Sequence, residues 1–330
     1  MTSFASGTAP PRDVPAPGLG LDGRRRAVAI FVVLSAMTLA VLDAGMANVA
    51  LPSIGHALDI EPATSILIVT AYQAGLVMAL LPLGAVGERF GHRRVFTGSV
   101  ALFALASGFS AVCPSLLWLA FARFLQGIGG AGIMALGVAL LRFTVPGNRL
   151  GAAIGWNALA VALASAAGPS VGALILSMTS WPWLFAMNLP IAILTLLGSR
   201  ALPHSPRGAQ ALDVPSMGLM ASTFAMLIIA AQCATTAPKM TSGLTAASVV
   251  AFMLLLRREA PKMQPLFPLD LLRRAPFRLS VTASICCFAA QASGLLGLSF
   301  LLQHELHLTP LMTGLYITVW PLSVAGAAIV

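Results

Sequence analysis

An all-α fold that crosses a lipid bilayer many times is predicted by three observations on this chain of 330 residues. Its composition is 58% hydrophobic and only 9% charged, with a mean hydropathy of +0.90, more apolar surface than a water-soluble domain can hide. The apolar residues fall into runs near the ~20 residues that an α-helix needs to span hydrocarbon. The basic residues cluster between those runs, in alternate loops. Barrel-type alternation is absent from the runs, and lipid offers no partner to unpaired backbone groups, so helices are the spanning element.

Residues 1–23 are rich in Pro, Gly and Ala without apolar periodicity, which predicts a disordered cytoplasmic tail. Ten spans follow, at about 27–51, 63–86, 95–112, 116–141, 151–178, 184–200, 215–234, 243–256, 277–302 and 313–330. The first, after Arg24, Arg25 and Arg26, runs to Pro52. It is too long for a signal-peptide core of about 7–15 residues.

Counting alternate loops places 17 of the 19 basic residues on the amino-terminal side; the opposite side holds only Lys239, and Arg123 lies within a span. The positive-inside rule then predicts a cytoplasmic amino terminus. At the other end, Ile329 and Val330 lie in apolar sequence with no basic or aromatic flank, which predicts a chain cut short. A net charge of +9 so scattered forms no nucleic-acid stripe.

The first span contains Asp43, whose charge costs roughly 2.5–3.5 kcal/mol at the centre of a membrane helix, so a functional role is its leading interpretation. Arg123 is the corresponding cation of the fourth span. At 1.5 Å per residue, Asp43 lies about 12 Å from the outer end of its span, Arg123 about 10 Å and the Tyr72–Gln73 pair about 14 Å. Gln126, Gly127 and Gly130 share the face of Arg123 by helical spacing. Such a stripe suits a water-filled cavity or a close neighbouring helix. The expectation is that Asp43 and Arg123 face one central cavity as a proton-coupling pair, with Tyr72, Gln73 and Gln126 as cavity residues. A structural pair locking the first and fourth helices is the competing role for Asp43, and a clamp on backbone carbonyls for Arg123.

The loop Gly84-Ala85-Val86-Gly87-Glu88-Arg89-Phe90-Gly91-His92-Arg93-Arg94 resembles the loop signature G-x-x-x-D/E-R-x-G-R-R/K-R/K of the major facilitator superfamily. Further segments resemble its drug:proton antiporter branch with fourteen helices. Leu42-Asp43-Ala44-Gly45-Met46-Ala47-Asn48-Val49-Ala50-Leu51-Pro52 is similar to L-D-x-T-x-x-N-x-A-L-P, with Gly45 in the place of threonine. Arg123 to Gly129 matches R-x-x-Q-G-x-G, and Gly168-Pro169-Ser170-Val171-Gly172-Ala173 is similar to G-P-x-x-G-G. Trp181-Pro182-Trp183-Leu184-Phe185-Ala186-Met187-Asn188-Leu189-Pro190 resembles W-R-W-x-F-x-x-N-x-P, and Leu212-Asp213-Val214-Pro215-Ser216-Met217-Gly218 resembles the start of the extra helical hairpin, L-D-x-x-G.

The resemblance implies a six-helix bundle over 24–200, an inserted hairpin over 213–258 and the first two helices of an incomplete second bundle over 277–330. It implies conformational gating by Gly84, Glu88, Arg89, Gly91, Arg93 and Arg94, and by Gly168, Pro169 and Gly172. For the last three, plain helix packing is an equal alternative. The implied function is proton-coupled efflux of small amphipathic or cationic compounds across a bacterial inner membrane. The partners are substrate, protons and lipid, and the full-length protein is a monomer. Export of one metabolite, such as an amino acid or siderophore, is the alternative, as is a transport-inactive truncated membrane protein. The 330-residue chain is expected not to transport by itself.

No enzyme, cofactor or metal is expected. Gly127-Ile128-Gly129-Gly130-Ala131-Gly132 fits G-x-G-x-x-G but lies in a membrane span without a preceding strand. His304-Glu305-Leu306-His307 is one residue short of H-E-x-x-H. The four cysteines have neither disulfide nor metal spacing.

Overall fold

In the computed structural model the described residues are 20–205, 212–234, 237–262, 271 and 274–327. Most of the expected tail and the last three residues lie outside them. The long helices are α1 (Gly23–Ala57), α2 (Leu67–Phe90), α3 (His92–Ala111), α4 (Leu116–Thr144) and α5 (Leu150–Met178). They are followed by α6 (Pro182–Ala186), α7 (Asn188–Gly198), α8 (Val214–Gln232), α9 (Pro238–Glu259), α10 (Ala275–Phe300) and α11 (Pro310–Ala327). Among the described residues eight helical segments are long and apolar enough to cross a membrane, and no strand occurs. Large apolar side chains such as Phe31, Leu105, Leu117 and Leu197 point outward at 66%, 74%, 76% and 68% exposure, as a lipid-facing surface requires.

Two expected boundaries are corrected. Pro52 does not close the first helix: α1 runs on through it to Ala57. Bilayer helices tolerate a proline when neighbours restore the freed backbone groups. Asp43 is therefore about 21 Å from the end of α1 rather than about 12 Å. The sixth span is broken, with α6 and α7 meeting at Met187.

Glycines set how closely the helices approach. A Cβ on Gly127 of α4 would strike the Tyr72 carbonyl of α2, and one on Gly75 of α2 would strike the Phe124 carbonyl of α4. These helices touch backbone to backbone. Gly45 of α1 and Gly168 of α5 form a second such crossing, where a Cβ on Gly168 would lie 2.9 Å from the Gly45 Cα. Gly45 thus gives α5 room that a threonine would occupy.

Around this frame α3 packs on α4 and α7, α1 on α5 and α7, and α11 on α5. Ser170 of α5 meets the Thr318 hydroxyl of α11 at 2.6 Å, and Thr318 donates to the Ala166 carbonyl at 3.1 Å. The pair α8–α9 leans on α2, joined internally by the Ser248 hydroxyl donating to the Thr223 carbonyl at 2.9 Å.

At the foot of α8–α9, Asp213 caps α8 by accepting from the Ser216 hydroxyl at 2.6 Å and from its backbone N–H. Arg258 and Lys262, at and beyond the end of α9, both pair with Asp213, and Lys262 also pairs with Glu259. Burial alone would raise the Asp213 carboxyl, but hydrogen bonds from Lys262, Ser216 and Arg258 hold it well below the usual carboxylate range. Partial burial acts against Lys262's charge, yet bonds to Asp213 and Glu259 leave its ammonium above its ordinary value.

Candidate functional site

Five helical elements converge on Asp43. Its carboxylate is 1% exposed and pairs with the equally buried Arg123, whose Nη1 donates to Oδ2 at 2.6 Å. The other oxygen, Oδ1, accepts from Gln126 Nε2 at 3.0 Å and from Asn188 Nδ2 at 2.6 Å. Gln126 accepts from Arg123 Nη1 at 2.7 Å and donates to the Ser107 hydroxyl at 2.8 Å. Two amides and a guanidinium therefore neutralise and orient one carboxylate. The Arg123 guanidinium lies between aromatic faces, 4.4 Å from the Tyr72 ring centroid and 5.4 Å from that of Phe185.

Each group has a local reason for its position. Asp43 is on the buried stripe of α1 with Ala36, Leu39, Ala40 and Met46. Arg123 and Gln126 are three residues apart on α4, so both reach the same side of α1. Asn188 opens α7 immediately after the break at Met187, which turns its amide inward. Ser107 occupies the inner face of α3 and also donates to the Phe103 carbonyl.

Beside this network is a cavity of about 250 Å³, bordered by α1, α2 and α5 and touched by α4, α10 and α11. Its polar lining is Asn48, Tyr72, Gln73 and Ser165. Here the expectation for the site needs correction. Asp43, Arg123 and Gln126 do not line the cavity; all three are at most 1% exposed. The Tyr72 ring separates them from it, with its hydroxyl donating to the Ala40 carbonyl at 3.4 Å. The small residues beside Arg123 face a helix rather than water, since Gly127 and Gly130 pack on Tyr72. Tyr72 and Gln73 do border the cavity.

The remaining predicted positions lie elsewhere. Glu88, Arg89 and Arg94 are exposed at the junction of α2 and α3, with Arg89 stacked over Phe90 at 5.6 Å. Gly91 turns the chain there at φ +98°, a conformation that favours glycine. The next backbone N–H donates to the Ser205 hydroxyl at 2.7 Å, and Arg93 meets the His204 ring at 3.2 Å. Gly84 has open space around it, whereas Gly87 packs on Leu136. Gly168, Pro169 and Gly172 lie between α1 and α11: Gly172 abuts Met46, and a Cβ on Gly314 would come 2.9 Å from the Pro169 carbonyl.

Asn188, Ser107 and Phe185 complete the network without having been singled out for it. Asn188 and Phe185 were visible in the Trp181–Pro190 motif. A buried amide opening a helix at the level of Asp43 was the available signal. Ser107 carried none, being one serine among many in apolar helices.

The Major Facilitator Superfamily model matches residues 33–330. The uncharacterized transporter YebQ of Escherichia coli (strain K12) is 41% identical over 313 residues, covering 92% of this chain and 68% of that protein. The riboflavin transporter RibZ of Clostridioides difficile (strain 630) is 27% identical, with 91% of this chain and 66% of its own length covered. The tetracenomycin C resistance and export protein of Streptomyces glaucescens is 29% identical, with 91% and 57% covered. Among solved structures, the human organic anion transporter MFSD10 (TETRAN) superposes with a TM-score of 0.58 at 18% identity, over 93% of this chain and 72% of that one. The chain thus spans between about half and two thirds of the length of these curated relatives. It belongs to the Major Facilitator Superfamily.

Proposed function

We propose that this member of the superfamily belongs to the fourteen-helix drug:proton antiporter branch and exports small amphipathic compounds in exchange for protons, with its amino terminus in the bacterial cytoplasm. One observation carries the proposal: a fully buried carboxylate, paired with Arg123, stands one aromatic ring away from a cavity. In this reading Asp43 takes up a proton at the step in which the Arg123 guanidinium and the two amides withdraw from it. A substrate seated against the Tyr72 ring keeps it stacked on Arg123 and water away from Asp43, and departure of the substrate lets the ring move and admits water. Protonation of Asp43 and occupancy by substrate then exclude one another, which is the requirement for exchange.

In this reading 24–200 is the amino-terminal bundle, 213–258 the inserted hairpin and 277–330 the first helices of the second bundle. The Gly84–Arg94 loop and the Gly168–Gly172 segment gate the motion between bundles. The Gly45–Gly168 crossing and the seating of Gly314 on Pro169 support a pivot there. The likeness to a riboflavin transporter favours a second reading, export of one metabolite through the same cavity.

The test is dye uptake into everted membrane vesicles driven by an acid-inside pH gradient. It is run with the chain alone and with the chain joined to the part of its E. coli relative that it does not match. Gradient-dependent uptake that Asp43→Asn abolishes, at unchanged expression, supports exchange. Equal uptake by Asp43→Asn removes the carboxylate from the mechanism.

A further inference from the structure

The cavity differs chemically from the network behind it. Among the described residues no Asp, Glu, Lys or Arg lines it; its polar groups are two amides and two hydroxyls, set among apolar residues such as Val41, Leu76 and Met134. The nearby charges are already committed. Both Asp43 oxygens accept hydrogen bonds from Arg123, Gln126 and Asn188, which leaves no free carboxylate for a cation. Arg123 occupies one face of the Tyr72 ring, so a cation on the other face would sit behind the same ring as a guanidinium. A formal charge entering this space would lose its water without gaining a partner.

Asn48 supplies the specific contact. It borders the cavity on α1, one helical turn beyond Ala44 and Gly45, and its amide oxygen is buried with no hydrogen-bond partner. A buried acceptor left unpaired is unfavourable, and a donor brought to it removes that penalty. The terminal torsion of an asparagine is broad and roughly two-fold, so a flip of the amide exchanges its oxygen with its nitrogen. A volume of about 250 Å³ is small for a ligand pocket and suits a few fused rings.

We infer that the cavity accepts an uncharged, hydrogen-bond-donating small molecule held through Asn48, and discriminates against permanent cations. The inference rests on the reading of this cavity as the substrate site, and narrows the expected amphipathic or cationic cargo to its neutral members.

Three fluorescent tricyclic probes of nearly equal size separate the contributions in an equilibrium titration of the purified chain at fixed pH. Acridone is neutral and carries an N–H, 10-methylacridone is neutral without one, and 10-methylacridinium is a permanent cation. Acridone is expected to bind at least about tenfold tighter than the cation. Asn48→Ala is expected to reduce acridone affinity about five- to tenfold, to that of 10-methylacridone, whose own binding stays unchanged and reports an intact fold. Asn48→Asp should raise binding of the cation. Equal or tighter binding of 10-methylacridinium by the unaltered chain overturns the inference. So does unchanged acridone binding in Asn48→Ala, or binding of none of the three. Acridone binding without gradient-driven uptake would leave this inference standing and count against exchange instead.

Discussion

Among the described residues two clusters of paired charge can be compared, one enclosed by helices and one with partial access to water. Asp43 and Arg123 are each 1% exposed, inside the helical bundle, while Asp213 and Lys262 at the foot of α8–α9 are 21% and 28% exposed. Both clusters contain a carboxylate with several donors. In the interior the alternative to pairing is a bare charge in a low-dielectric medium, so every donor counts. At the foot of the hairpin Asp213 and Lys262 keep partial access to water, which weakens the cost of losing a partner, although Glu259 in the same cluster is buried. The same kind of contact therefore carries a large energetic weight in one region and a small one in the other.

The contrast breaks most sharply when one buried partner is removed. Arg123→Ala should destabilise the protein by about 3–5 kcal/mol, read as unfolding in mild detergent, since it leaves the buried Asp43 carboxyl without its cation. The double variant Asp43→Asn/Arg123→Gln should recover much of that loss. If the double variant is no more stable than Arg123→Ala alone, the buried pair is not the unit described here.

A smaller effect is expected from Gly127→Ala, which places a Cβ against the Tyr72 carbonyl. Separation of α2 from α4 should cost about 1–3 kcal/mol and move Tyr72 off Arg123, visible as a change in tyrosine fluorescence or in acridone binding. Asn188→Ala removes one of the two amide donors to Asp43 Oδ1 and should cost about 1–3 kcal/mol. Asn188→Asp should be worse than Asn188→Ala, because it sets a second carboxylate beside the first.

At this partly exposed cluster, Asp213→Asn should cost about 1 kcal/mol, and added salt should shrink the difference. The pH dependence follows from the directions of its shifts. Asp213 is held below its ordinary value, so its contribution is present above about pH 4 and is lost as pH falls through the lowered folded value. Lys262 is held above its own ordinary value, so its contribution is present below about pH 10 and is lost as pH rises past the raised folded value. Between those limits the hydrogen-exchange protection factors at the start of α8 should be flat with pH. A strong dependence near neutrality would mean that other groups hold the hairpin.

The all-α class and the meeting of Asp43 with Arg123 were legible because hydropathy and rise per residue act locally. Of the ten expected spans, the first eight correspond to helices long and apolar enough to cross a membrane among the described residues. The errors arose where neighbours decide. Pro52 lies within α1 because packed membrane helices tolerate a proline, which no single-span pattern reveals. Gln126 was placed in the cavity because its spacing matched Arg123, yet spacing fixes only a face, and that face meets Asp43 and Ser107. Tyr72 and Gln73 are adjacent and equally deep, but Tyr72 is 2% exposed and walls off the pair, whereas Gln73 is exposed. Gly45 departs from the usual threonine at the point where Gly168 comes closest, a reason visible only with both helices in place.

The central claim is that Asp43, enclosed beside Arg123, binds a proton during the working cycle. Infrared spectra of the reconstituted protein over a pH series, with Asp43→Asn as the reference, test it directly. The account predicts a protonated-carboxyl stretch that grows as the medium is acidified and is absent from the variant. A carboxylate signal from Asp43 that stays constant from acid to alkali would contradict it.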